Sequence, residues 1–271
     1  MPTAARKRAF ACIGSGAAIG TLGGLMGLGG AEFRLPVLVG VLGLAVRAAV
    51  PVNLAVSFIV LLAALPARAT TIALDDLLAH LPEVLGMAAG SIVAAYVGVG
   101  LLKRVSDRAL GTLILGLLMA LGVVMIGDAF LGDGGAGIVP HIPAWRALAS
   151  AACGIVVGLV SSLLGVAGGE LIIPTFVLGF GVPVKLAGSM SMLVGLPTIA
   201  AGLVRHLRDP ACPLRSSGTW RDTVGPLGIG SVLGAVVGGL LLGLVPADAL
   251  KVTLGVILIW SAFRTFAHQK R

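Results

Sequence analysis

Apolar residues along the chain come in continuous runs of about twenty, a length that spans a bilayer as a helix, separated by short polar connections. There is neither the two-residue alternation of a half-buried strand nor the broad polar face of a surface helix. The runs cover 9–28, 46–66, 82–102 and 109–127, and then 145–164, 184–204, 225–244 and 249–267. Two further apolar pieces, 35–44 and 171–180, have only ten residues each, too few to cross as helices. The pattern predicts an all-α polytopic membrane protein with roughly 8–10 hydrophobic segments. Arg6, Lys7 and Arg8 before the first run resemble the start of a signal peptide, but the same kind of run returns at 145–164, so 9–28 reads as structure.

The order of long and short segments repeats. A shift of 138 lays Gly20 on Gly158, Gly27 on Gly165, Gly30 on Gly168, Glu32 on Glu170, Pro36 on Pro174 and Gly43 on Gly181 without a gap. A shift of 140 lays Gly90-Ser91 on Gly230-Ser231 and Ala109-Leu110 on Ala249-Leu250. The chain therefore divides into a first transmembrane repeat, 1–127, an external linker, 128–144, and a second transmembrane repeat, 145–271.

Composition narrows the class. Hydrophobic residues make up 58% of the 271 and charged residues 11%, with mean hydropathy +1.09. A soluble domain of this size needs a polar coat that this composition does not supply. The apolar runs lack the alternation of an outer-membrane barrel. The net charge of +8 would suit nucleic acid in a soluble protein, but Lys and Arg sit mainly in connections between apolar runs, which excludes that partner and leaves the lipid bilayer. With both termini in the cytoplasm, inner connections hold Arg6, Lys7, Arg8, Arg47, Lys103, Arg104, Arg108, Arg205, Arg208, Arg215, Arg221, Arg264, Lys270 and Arg271. The outer ones hold only Arg68, Arg146, Lys185 and Lys251, beside Asp75, Asp76, Glu83, Asp128, Asp133 and Asp248. Each half then crosses an odd number of times, so the halves are inverted repeats in a bacterial-type inner (plasma) membrane, the architecture of secondary transporters.

The candidate site lies where glycine breaks the apolar pattern. Gly27-Leu28-Gly29-Gly30-Ala31-Glu32 leads into Phe33-Arg34-Leu35-Pro36, and Gly165-Val166-Ala167-Gly168-Gly169-Glu170 into Leu171-Ile172-Ile173-Pro174. Broken backbone at membrane depth must be buried in protein or line a cavity, and amides at a helix start favour an anion. Gly-broken or re-entrant segments at matching positions therefore predict a small anionic substrate held by Gly27, Gly29, Gly30, Gly165, Gly168 and Gly169. The alternative is tight helix packing, the reading given to Gly16/Gly20, Gly86/Gly90, Gly154/Gly158, Gly230/Gly234 and Gly234/Gly238. Glu32, Glu170 and Arg34 are the ionisable residues placed well inside the membrane; the carboxyls are candidates for proton coupling or for pairing, and Arg34 for facing the substrate or for pairing. Asn53 and Ser57, one helical turn apart, together with Ser189 and Ser191, either line a path or bond across helices. Trp145, Trp220 and Trp260 are expected at segment ends. No spacing of Cys12, Cys153, Cys212 or the histidines suggests metal or redox chemistry, so neither a metal nor a cofactor is expected, and no catalytic constellation for an enzyme is present.

The two elbows, with Lys185-Leu-Ala-Gly-Ser-Met-Ser in the second half, resemble the sulfite exporter TauE/SafE family through almost the whole chain. Ala31 stands where the family has the last glycine of its first triplet, and Ala167 at a variable small position of the second. The resemblance implies transport, by export, of a small sulfur-containing anion such as sulfite or an organosulfonate; an anion channel, or an importer of thiosulfate or another small organic anion, would use the same elbows. Oligomeric state is not legible in the sequence.

Overall fold

The computed structural model describes residues 2–102, 107–131, 137–140, 142–164 and 168–269. Every regular element among them is a helix. The first half holds α1 (Pro2–Met26), α2 (Ala31–Pro36), α3 (Val46–Ala69), α4 (Leu74–Ala79), α5 (Leu81–Leu102) and α6 (Asp107–Leu131). The second holds α7 (Pro143–Leu164), α8 (Gly169–Pro174), α9 (Val184–Leu207), α10 (Ser217–Thr219), α11 (Gly225–Leu241) and α12 (Ala247–Gln269). Among the described residues five stretches, in α1, α3, α7, α9 and α10–α11, are long and apolar enough to cross a bilayer. The helical connection α4 falls between two expected spans, where its sequence is too short and too acidic to stand out.

Proline shapes the short segments identically in both halves. Pro36 ends α2 and Pro174 ends α8, and each is followed by a π turn, Val37–Val41 and Thr175–Gly179. A proline inside a helix removes one N–H and crowds the carbonyl four residues back, and a widened turn relieves both. Gly43 and Gly181 then reverse the chain at φ 68°, a conformation open to glycine without strain.

Glycine contacts fix the direction of each helix. Gly16, Gly20 and Gly24 of α1 lie against Leu227, Ser231 and Ala235 of α11, and Gly230, Gly234 and Gly238 of α11 against Ile13, Ala17 and Thr21 of α1. Rising numbers meet rising numbers, so the two helices run parallel. The same holds for α5 and α7, where Gly86 and Gly90 face Ala147 and Ala151 while Gly154 and Gly158 face Met87 and Ser91. In contrast α6 and α12 are antiparallel, with Gly122 on Ile259 and Gly255 on Ile126. So are α3 and α9, with Leu54 beside Gly202 while Arg68 reaches Lys185 and Ser189. Since α9 repeats α3 and α12 repeats α6, repeated helices run in opposite senses: the halves are inverted. Each also lends a helix to the other, because α1–α11 and α5–α7 exchange under the repeat.

Charge separates the two faces. Arg205, Arg208, Arg215 and Arg221 are exposed where α9 ends and α11 begins. On the opposite face Asp75, Asp76 and Asp248 are exposed, whereas Arg68, Arg146 and Lys251 are buried. Lys251 pairs with Asp128 at 2.6 Å and Arg146 with Glu83 at 2.6 Å. Lys103, Arg104, Asp133, Lys270 and Arg271, counted in the expected asymmetry, and His141 lie outside the described residues. One expectation is corrected: Trp260 stands within α12 rather than at its end, and it stacks on Phe33 with ring centroids 5.8 Å apart.

The packing glycines yield the first prediction. A side chain at Gly20 or Gly158 would collide with the backbone of Ser231 or Ser91, whereas one at Gly14 or Gly116 meets nothing within 4 Å. Gly20→Val or Gly158→Val should lower stability by about 1–3 kcal/mol or more. Gly14→Ala and Gly116→Ala should be neutral or raise it by up to about 1 kcal/mol. Thermal unfolding in detergent checks both directions.

Candidate functional site

The first elbow is built from a helix that stops inside the protein. Gly27, Gly29 and Gly30 all adopt positive φ, at 86°, 75° and 72°. The amides of Gly27, Leu28 and Gly29 turn back to the carbonyl of Gly23 at 2.9, 3.0 and 3.4 Å. The amides of Gly27 and Gly29, expected to hold an anion, thus close the end of α1 instead. Gly30 is the N-cap just before α2, as Gly168 at φ 75° is just before α8. Gly165 lies outside the described residues.

Arg34, Asn53 and Ser57 form one buried assembly. The Arg34 guanidinium donates to Asn53 Oδ1 at 3.3 Å, to Ser57 Oγ at 2.8 Å and to the carbonyl of Gly29 at 2.9 Å. Asn53 donates from Nδ2 to the carbonyl of Ala31 at 3.0 Å. Of the two fates open to Asn53 and Ser57, the geometry displays bonding across elements. Together they tie the elbow carbonyls to α3, satisfying groups that lipid would leave bare. Arg34 Nε has no hydrogen-bond partner among the described residues.

The second elbow faces the first. Gly169 packs against Leu28, and a Cβ there would stand 3.2 Å from both Leu28 Cα and Ser191 Oγ. Glu32 and Glu170 are 8% and 2% exposed and lie within electrostatic reach of each other, as Glu32 does of Arg34. Ser261 of α12 donates to Glu170 Oε2 at 3.2 Å. Both oxygens of Glu32, Oε1 of Glu170 and Oγ of Ser161 beside Gly168 have no hydrogen-bond partner among the described residues. Buried polar atoms are ordinarily paired, so the unpaired ones at the two elbows stand out.

Sequence reasoning missed Arg68. Its position near a connection gave it the look of a loop cation, yet it is 1% exposed inside the end of α3. It donates to the carbonyls of Gly24 and Leu25 at 2.8 and 2.9 Å, to Ser189 Oγ at 2.9 Å and to the carbonyl of Lys185 at 2.6 Å. A permanent cation two residues beyond the glycine-free apolar run 46–66 was the available signal: long basic side chains near helix ends reach for the nearest polar ground. Ser189 is thus brought to Arg68 and Ser191 to the second elbow.

The Arg34 assembly supplies a second prediction. Asn53→Leu should unseat the Ala31 carbonyl and the Arg34 guanidinium together and destabilise the protein by about 1–3 kcal/mol. Ser57→Ala, which leaves Asn53 and Gly29 as acceptors, should cost about 1 kcal/mol. Detergent unfolding midpoints for the two variants check the order.

No curated protein and no solved structure matches the chain. The family model described as sulfite exporter TauE/SafE matches residues 2–125 and again 150–271, one match for each inverted half. These are membrane transporters of sulfur-related anions. The two matches take in both elbows, both prolines and both carboxyls: the chain belongs to the sulfite exporter TauE/SafE family.

Proposed function

We propose that the protein is a secondary transporter that exports a small sulfur-containing anion, sulfite or an organosulfonate, and that Glu32 and Glu170 couple the movement to protons. The observation that carries this reading is the group of buried, unpartnered polar atoms where the elbows meet: Glu32, Glu170 Oε1 and Arg34 Nε. An anion entering there meets Arg34 and the glycine backbone of Gly30, Gly168 and Gly169, with Ser191 alongside. Two carboxylates at the same place would repel it, so the substrate is admitted when they carry protons and expelled when they release them. Inverted repeats meeting at broken helices supply the two access states: the half that opens one face is the other half turned over.

The proposed setting is the plasma membrane with both termini in the cytoplasm. The exposed arginines at the end of α9 and the start of α11 support that orientation, because basic loops stay on the cytoplasmic side. A cysteine at Asp75 should react with an impermeant thiol reagent from outside the cell, and one at Arg215 only after permeabilisation. Reversed labelling would sink the orientation.

Transport itself is tested in proteoliposomes loaded with a panel of sulfur oxyanions and carboxylates. Sulfite or a sulfonate should leave protein-containing vesicles faster than empty ones, and carboxylates should not. Wild-type affinity should weaken by roughly tenfold for each carboxylate charge that appears as pH rises. Glu32→Gln and Glu170→Gln should each flatten that dependence and keep the tighter binding at high pH. Superimposed pH profiles for all three proteins would make the carboxyls structural.

A further inference from the structure

Arg68 has a bonding pattern that separates cleanly by repeat. The carbonyls of Gly24 and Leu25 belong to α1, in the same half as α3, and they are among the last carbonyls of a helix that stops inside the protein. Ser189 Oγ and the Lys185 carbonyl belong to α9, in the other half. One guanidinium therefore spans the interface between the inverted halves, on the face that carries Asp75. Among the described residues no carboxylate pairs with it, and all four acceptors are neutral. Four bonds also leave one of its five N–H groups for a further acceptor.

The guanidinium lies directly behind the first elbow. A Cβ at Gly188 would stand 2.6 Å from Arg68 Nη2, and the backbone of Gly188 in turn packs on Gly27. Glycine is required at both positions, so the elbow, α9 and the cation form a continuous stack. The 138-residue shift lays Arg68 on His206, which is only half-buried. The second half therefore has no permanent cation at the matching place.

We infer that Arg68 is a latch that the transported oxyanion releases: opening the Asp75 face parts α3 from α9, and the anion's oxygens replace Ser189 Oγ and the Lys185 carbonyl on the guanidinium. This rests on the proposed anion transport. The energetic reason is direct. Separating α9 from α3 removes two acceptors from a cation in a low-dielectric surrounding, and a charged oxygen forms a bond to guanidinium roughly twice as strong as a neutral one does. An oxyanion is therefore the acceptor that makes opening favourable. The bonds to Gly24 and Leu25 travel with α1 and keep the cation at the elbow while its partners change. Arg34, held by Asn53, Ser57 and Gly29 in the same half, has no bond of this kind to give up.

The latch makes a prediction that a direct ligand role for Ser189 reverses. Because Ser189 competes with the anion for Arg68, removing its hydroxyl frees the cation. In the full-length purified protein, with sulfite as the probe in isothermal titration, Ser189→Ala should bind about three- to tenfold tighter than wild type, the value of one hydrogen bond. Arg68→Gln should bind at least about tenfold more weakly, as loss of a charged partner requires. A Ser189→Ala protein that binds sulfite more weakly overturns the latch and makes the hydroxyl a ligand. A second arm needs no ligand. Amide hydrogen exchange over 184–190 should quicken by about fivefold in Ser189→Ala without sulfite, and unchanged exchange overturns the latch as well. Quickened exchange in a protein whose wild type ignores sulfite keeps the latch and discards sulfite as the substrate.

Discussion

A helix that ends inside a bilayer leaves polar groups which neither water nor lipid can satisfy, and the fold is organised around that need. The last carbonyls of α1 are met in two ways. Gly23 takes the three amides of its own elbow, and Gly24 and Leu25 take the guanidinium of Arg68. The elbow carbonyls of Gly29 and Ala31 are met by Arg34 and Asn53. Two buried arginines and one asparagine thus do for the broken segment what continuing helix would have done. That enclosure is available only because α3 and α9 stand on either side of the elbow, one from each half.

Bringing the halves that close requires glycine at the crossing points. In α1–α11 and α5–α7 the facing backbones touch at Gly20, Gly230, Gly90 and Gly154, where any side chain would intrude. Lipid gives apolar helices no reason to prefer one another over acyl chains, so close contact of backbones supplies the cohesion instead. The swapped pairing adds to this, since neither half can fold its parallel pairs without the other. The buried carboxyls Glu32 and Glu170, one from each inverted half, lie within electrostatic reach of each other in this arrangement.

Much of this is legible in the sequence. The spans in α1, α3, α7, α9 and α10–α11 announce themselves by length and hydropathy, and the duplication survives as ungapped glycine, glutamate and proline matches. The elbows are visible because Gly30 and Gly168 interrupt apolar runs at equal distances from Pro36 and Pro174. What stays hidden depends on contacts between distant segments. Nothing in the chain says that the Gly27 and Gly29 amides are consumed by Gly23, or that Arg34 finds Asn53 and Ser57 nineteen and twenty-three residues away. Arg68 is the clearest case. One-dimensional charge counting assigns it to a loop, whereas burial assigns it to the seam between the halves, 121 residues from Ser189. Trp260 misleads for a similar reason: an interfacial aromatic and one that packs on Phe33 look alike until the partner is known.

The elbows of two oppositely running halves meet inside one chain, and cross-linking reads that meeting. With Cys12, Cys153 and Cys212 replaced, cysteines at Leu28 and Gly169 should form a disulfide within a single chain under mild oxidation, because a Cβ at Gly169 stands 3.2 Å from Leu28 Cα. The bond should lock the halves together and stop vesicle transport until it is reduced. Failure to cross-link in a folded protein, or cross-links only between separate chains, would mean that the elbows do not meet within one chain.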